Sequence, residues 1–129
     1  MRCNRRREIM SKLHINGTPV TKGRAIPIVV NGRTRMVADS KTKTYERQVG
    51  KAWQDAGLPK HTGPVEVDIL VFPDHVEVAV TPLDDTGVSP LQGDVDNYAK
   101  SILDGLNTIA WDDDIQVYVL NVVKVAYEQ

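Results

Sequence analysis

Cysteine, phenylalanine and histidine are scarce here: one, one and three copies among 129 residues. Cys3 has no partner for an internal disulfide, which fits a reducing compartment. It sits in a basic segment without hydrophobic period, a poor setting for a nucleophile. No apolar run approaches the roughly 18 residues that a membrane span requires, and the basic start MRCNRRREIM has no apolar stretch behind it. A soluble, cytoplasmic chain that is not secreted is expected, with no membrane partner. A Walker-type glycine-rich phosphate loop is absent, and no organic cofactor is expected. His14, His61 and His75 are scattered, without Cys or His partners at zinc spacing, and read as surface or core residues.

What is present is enough for one ordinary core, since 41% of the residues are hydrophobic. One domain is expected over residues 12–129. Residues 1–11 read as a flexible basic arm, in which Met10 could serve as the initiator. The formal net charge of -1 conceals a division along the chain. Residues 1–60 hold 14 Lys and Arg against 4 Asp and Glu, whereas residues 61–129 hold 2 against 13, giving +10 and -11. Two halves that merely neutralise each other would suffice to explain this. A phosphate-binding surface around an acidic centre would do so as well.

Hydrophobic periodicity predicts the elements. Leu13 and Ile15 alternate with polar neighbours, as in a short strand. Segments 25–30 and 34–38 flank Asn31-Gly32, a dipeptide favoured in tight hairpin turns. Ser40 suits the N-cap of a helix to about Ala56, with Tyr45, Val49, Ala52 and Trp53 at helical spacing and Gly57 as its stop. Val65, Val67, Ile69 and Val71 alternate with Glu66 and Asp68 in a second strand, and residues 76–81 suit a third. Residues 82–93 read as an exposed loop. A second helix is expected from about Asn97 to Ala110, where Gly105 suggests close packing or a bend. The valine-rich segment from Ile115 to about Tyr127 reads as a strand covered on both faces. The fold class is α/β (α+β), a small mixed sheet with two main helices.

Chemistry concentrates in the acids. Asp94 and Asp96 would share one face of an extended chain, with Cα atoms about 6.6 Å apart. Asp112, Asp113 and Asp114 lie in the next connection, and Asp113 and Asp114 are the two expected to face the same site. Hard divalent cations take carboxylate oxygens and keep exchangeable waters, so such a cluster suits phosphodiester hydrolysis. Lys100 falls four residues after Asp96 and four before Asp104, in one helical stripe, where it could steady a phosphate. The same spacing equally suits an ordinary N-cap at Asp96, a surface Lys100–Asp104 pair and a solvated acidic loop. An EF-hand is excluded, because counting from Asp94 the sixth and twelfth positions are Ala99 and Gly105.

The segment Asp94-Val-Asp96-Asn97-Tyr-Ala-Lys100, then Leu103-Asp104-Gly-Leu106-Asn107, then Trp111-Asp112-Asp113-Asp114-Ile-Gln116-Val117, resembles the signature of RusA-type Holliday-junction resolvases. Pro19–Arg24 and Lys41–Glu46 resemble the first half of that family less distinctively. The resemblance implies a homodimeric, Mg²⁺-dependent endodeoxyribonuclease, with Mn²⁺ as a substitute, often phage- or prophage-borne, that nicks four-way DNA junctions during recombination and repair. By position, Asp94, Asp96 and Asp114 match the family's essential acids, Lys100 its essential lysine and Asp113 a neighbouring acid. The implied metal ligands are Asp94, Asp96, Asp113 and Asp114. Lys22, Arg24, Lys41 and Lys43 are the expected DNA phosphate contacts. Residues 73–93 depart from the pattern, being longer and more acidic than the basic approach of some members. A non-catalytic DNA-binding module and a metal-dependent hydrolase of small phosphates are the competing readings.

Overall fold

A computed structural model describes residues 10–23, 25–37, 39–83 and 89–125. Its contacts divide the chain into two compact units, Met1–Asp84 and Asp85–Gln129. Among the described residues the elements are mixed α and β, with two helices and small sheets whose pairings are all antiparallel. Residues 1–9 of the expected arm lie outside the described residues, while Ser11, its last member, opens a strand.

In the first unit, β1 (Ser11–Asn16), β4 (Val65–Val71) and β5 (His75–Pro82) form a sheet in the order β1-β5-β4. Alternation sorts the side chains of β1: Ser11, Leu13 and Ile15 are buried, while Lys12, His14 and Asn16 face outward. Leu13, Ile15 and Val76 form the buried cluster, with Val49, Ala52 and Trp53 of helix α1 (Ser40–Asp55) packed against it. Gln48 Nε2 donates to Asn16 O at 3.1 Å and Trp53 Nε1 donates to Pro59 O at 3.1 Å, fixing the helix to β1 and to its own exit loop. Asp39 is the N-cap of α1 and Ser40 its first helical residue, so the cap falls one position earlier than the sequence suggests.

β2 (Ile26–Val30) and β3 (Arg33–Val37) form the expected hairpin. Asn31 and Gly32 both take positive φ, 53° and 75°, the left-handed pair that a two-residue primed turn requires. Ala38, the predicted end of the second hairpin strand, lies outside the described residues, as do residues 84–88 of the expected loop.

The second unit contains helix α2 (Val95–Leu106) and a 3-10 turn at Asp114–Gln116. The helix starts two residues before the expected Asn97 and ends four before Ala110, where Thr108 adopts φ 69° and the chain turns back. Nothing lies within 4 Å of a Cβ added at Gly105, so the expected close packing there is absent among the described residues. The expected strand from Ile115 is also absent: residues 117–125 carry no strand pairing. Tyr118 and Val119 are 90% and 77% exposed. A strand needs a neighbour to take its backbone hydrogen bonds, and among the described residues no other strand lies in this unit. Residues 126–127 of that expectation lie outside the described ones.

Candidate functional site

The acidic residues of the second unit are set by the start of α2 and by the turn after it. Asp94 is the N-cap, in extended conformation, and its backbone carbonyl accepts from Asn97 and Tyr98 N–H at 3.1 and 3.2 Å. Its carboxylate makes no capping hydrogen bond, which leaves its oxygens available to a ligand. Asp96 already belongs to the first helical turn. The expected extended chain presenting Asp94 and Asp96 on one face is therefore not observed, because residues two apart on a helix do not face each other. Lys100, one turn on, places Nζ 3.5 Å from Asp104 Oδ2, as the four-residue spacing predicts.

The approach to Asp94 is pinned. Gly93 N–H donates to the Tyr98 hydroxyl at 3.0 Å, and Lys124 Nζ donates to Gly93 O at 3.2 Å. A Cβ at position 93 would meet the Tyr98 ring at 2.9 Å, so only glycine lets the ring lie over this backbone. Sequence reasoning missed Tyr98 and Lys124, whose polar ends reach backbone that no periodicity exposes.

Asp113 and Asp114 are held by the other residues of their motif. Gln116 Oε1 accepts from the backbone N–H of Asp112 and Asp113 at 2.7 and 2.9 Å, while Asp113 Oδ1 accepts from Ile115 N–H at 3.1 Å. This reciprocal cap occupies one oxygen of Asp113. Asp114 Oδ1 accepts the indole N–H of Trp111 at 2.8 Å. Asn107, the C-cap of α2, forms an isolated bridge to Trp111 and so ties the helix end to the acidic turn. Its Oδ1 is buried with no hydrogen-bond partner among the described residues.

All donors in this set are carboxylate oxygens, which fit a hard dication by type. Among the described residues, the one trio of possible ligands whose atoms all lie within 4.8 Å of one another is His14, His75 and Glu77, in the first unit. No three of Asp94, Asp96, Asp113 and Asp114 close to that spacing. Mg²⁺ commonly uses only one or two protein carboxylates and fills its other positions with water and phosphate oxygens, so the set still suits it.

Of the expected DNA contacts, Lys22, Lys41 and Lys43 are exposed in the first unit, and Arg24 lies outside the described residues. Gly23 N–H donates to Thr42 Oγ1 at 2.8 Å, holding the Lys22 loop against the start of α1. Lys22 Nζ lies 2.7 Å from Glu46 Oε2 in an exposed pair, the sort worth about 0.2–1 kcal/mol. Lys41 and Lys43 occupy the first turn of α1, which holds no acidic residue of its own, while the N-cap Asp39 sets one carboxylate at the positive helix end.

A family model described as Endodeoxyribonuclease RusA matches residues 16–129, and the chain belongs to this family of DNA endonucleases. A Bacillus subtilis (strain 168) protein, YqaN, itself described as uncharacterized, is 32% identical over 126 residues, covering 92% of this chain and 89% of its own length. No solved structure gives a significant match. No helix among the described residues is long and apolar enough to cross a membrane.

Proposed function

We propose that the chain is a cytoplasmic, Mg²⁺-dependent endonuclease that resolves four-way DNA junctions as a homodimer, with Asp94, Asp96, Lys100 and Asp114 as its catalytic residues. The observation that carries this reading is the exposed Asp94 carboxylate at the head of α2, which makes no capping hydrogen bond, with Asp96 in the first turn and Lys100 one turn further. The family membership supplies the reaction class, cleavage within DNA.

Asp94, Asp96, Asp113 and Asp114 would hold the metal, and Mn²⁺ has the same preference for oxygen donors. When bound, the dication polarises a phosphoryl oxygen and acidifies a water. The chain's own residues do the rest. A carboxylate of the cluster takes a proton from the attacking water as its oxygen bonds to phosphorus and the ester oxygen leaves. Lys100 offsets the charge that develops on the phosphoryl oxygens, and Asp104 holds its ammonium group in reserve at the helix surface. Trp111 keeps the Asp114 carboxylate in one orientation. Lys22, Arg24, Lys41 and Lys43 bind backbone phosphates. Two chains are needed because resolution takes two matched cuts, and each chain offers one acidic cluster.

Cleavage of a four-way junction, a linear duplex and a mononucleotide, each with and without Mg²⁺, tests the reading. Metal-dependent paired nicking of the junction is expected. Equal cutting of the duplex would remove junction selectivity, turnover of the mononucleotide alone would make the protein a small-phosphate hydrolase, and binding without cutting would make it a DNA-binding module. Sedimentation showing only monomer, free and on DNA, would contradict the homodimer.

A further inference from the structure

The antiparallel register of β1 and β5 sets His14 opposite Glu77 and Asn16 opposite His75. Since Lys12, His14 and Asn16 of β1 face outward, their partners Ala79, Glu77 and His75 share that face. The result is a tight knot of nitrogen and oxygen donors. One ligand atom from each of His14, His75 and Glu77 lies within 4.8 Å of the other two. His75 Nε2 lies 3.1 Å from Glu77 Oε2, and the two imidazoles stack with centroids 4.6 Å apart. We propose that His14, His75 and Glu77 form a binding site for a zinc-class transition dication, separate in its residues and its donor chemistry from the acidic cluster.

Three further observations support this assignment. Asp74 Oδ1 accepts from His75 Nδ1 at 2.7 Å. A carboxylate on one ring nitrogen fixes the tautomer and leaves the Nε2 lone pair for a metal, the arrangement usual around zinc histidines. His14 Nε2 lies 2.8 Å from Asn16 Oδ1, and donation there leaves the His14 Nδ1 lone pair free. Phe72 stacks on His75 with centroids 4.2 Å apart, so the ring is held on its other face. The His75 side chain is 19% exposed, whereas that of Glu77 is 49% exposed, an anchored ligand beside one open to solvent.

Two imidazoles and a carboxylate make a familiar three-ligand zinc set, whose fourth position a water fills. Tetrahedral zinc with bonds of about 2.0–2.1 Å needs donors roughly 3.3 Å apart, a spacing His75 Nε2 and Glu77 Oε2 already meet at 3.1 Å, so His14 must draw in by at most about 1.5 Å. One ring must also turn out of the stack, because parallel rings cannot both aim lone pairs at one ion. His14, exposed at the sheet surface, is free to make that turn. Imidazole donors favour zinc or copper over Mg²⁺, so the two sites sort metals by chemistry. Lys12, on the same face of β1, is the like-charged neighbour that limits affinity.

Zinc-edge X-ray absorption and titration calorimetry on the untagged full chain, stripped with chelator and carrying Asp94→Asn and Asp96→Asn, test the site with Zn²⁺ alone. The expected result is one zinc per chain with the scattering signature of two imidazoles, weakened at least tenfold by Glu77→Gln and by His14→Ala. Asp74→Asn, which touches no metal, should weaken binding about tenfold to a hundredfold. The near-isosteric Glu77→Gln guards against a histidine variant that fails to fold. A zinc spectrum without imidazole scattering, or affinity unchanged in both Glu77→Gln and His14→Ala, would overturn the assignment. Neither outcome bears on DNA cleavage, which the acidic cluster would perform.

Discussion

The indole N–H of Trp111 donates to Asp114 Oδ1 at 2.8 Å, so an aromatic side chain three residues upstream sets the direction of a carboxylate proposed to hold metal. Trp111→Phe keeps a ring and removes the donor. Turnover in saturating Mg²⁺ should fall about tenfold to a hundredfold, the usual cost of losing a partner that orients a ligand, with junction affinity little changed. Steady-state kinetics separate the two: a rise in KM at constant kcat would mean that Trp111 serves binding and not the orientation of Asp114.

Gly93→Ala pushes a methyl group into the Tyr98 ring at 2.9 Å, and such overpacking typically costs about 1–3 kcal/mol. Denaturant unfolding of Gly93→Ala, Tyr98→Ala and the double variant measures the coupling. The double variant should be more stable than the sum of the single losses implies. Strict additivity would show that the ring does not hold this backbone.

Gly105→Ala should act in the opposite sense. Gly105 lies within α2 at ordinary helical φ with open space where a Cβ would point. Alanine there should stabilise the chain by about 0.4–1 kcal/mol, chiefly by restricting the unfolded state. A lower melting temperature would show that something close does occupy that space.

Stability should depend on pH through Asp74 and His75. The hydrogen bond to Asp74 raises the His75 pKa above its ordinary 6.5, and the same bond lowers that of Asp74 below 3.8. A raised histidine contributes stability fully below 6.5 and loses it as pH rises through the higher folded value. A lowered carboxylate contributes above 3.8 and loses it as pH falls through the lower folded value. With chelator present, melting temperature should therefore drop as pH rises above 6.5, and Asp74→Asn should flatten that drop. An identical slope in the variant would dissociate the pair from stability.

The first unit was legible where β1 and β4 alternate in sequence and where α1 obeys the helical period, although every residue of β4 is exposed. Leu13 and Ile15 are buried as their alternation predicts, and Asn31-Gly32 supplies the positive φ pair of the turn. The run after Ile115 misled for a physical reason. Continuous apolar character reports a tendency to be covered and does not supply the neighbouring strand that pairing requires. Asp94 and Asp96 were legible as acids, but the helix start at Val95 that separates their directions was not. The histidines looked scattered because His14 and Glu77 are distant in sequence and meet only through the β1–β5 register.

Cleavage by Asp94→Asn, with Asp96→Asn and Asp114→Asn beside it, tests the central claim most directly. Each variant should be folded, bind a four-way junction as tightly as the parent or more tightly, and make no nicks in Mg²⁺, since each loses a metal ligand and a charge that repels phosphate. Lys100→Ala should also cut poorly, yet gain no affinity, because it loses a positive charge. Loss of a purely structural acid or cap would cost up to about 1 kcal/mol of stability and leave cleavage intact. A folded Asp94→Asn protein that nicks junctions at the parental rate in Mg²⁺ would contradict the assignment of this acidic cluster as the catalytic centre.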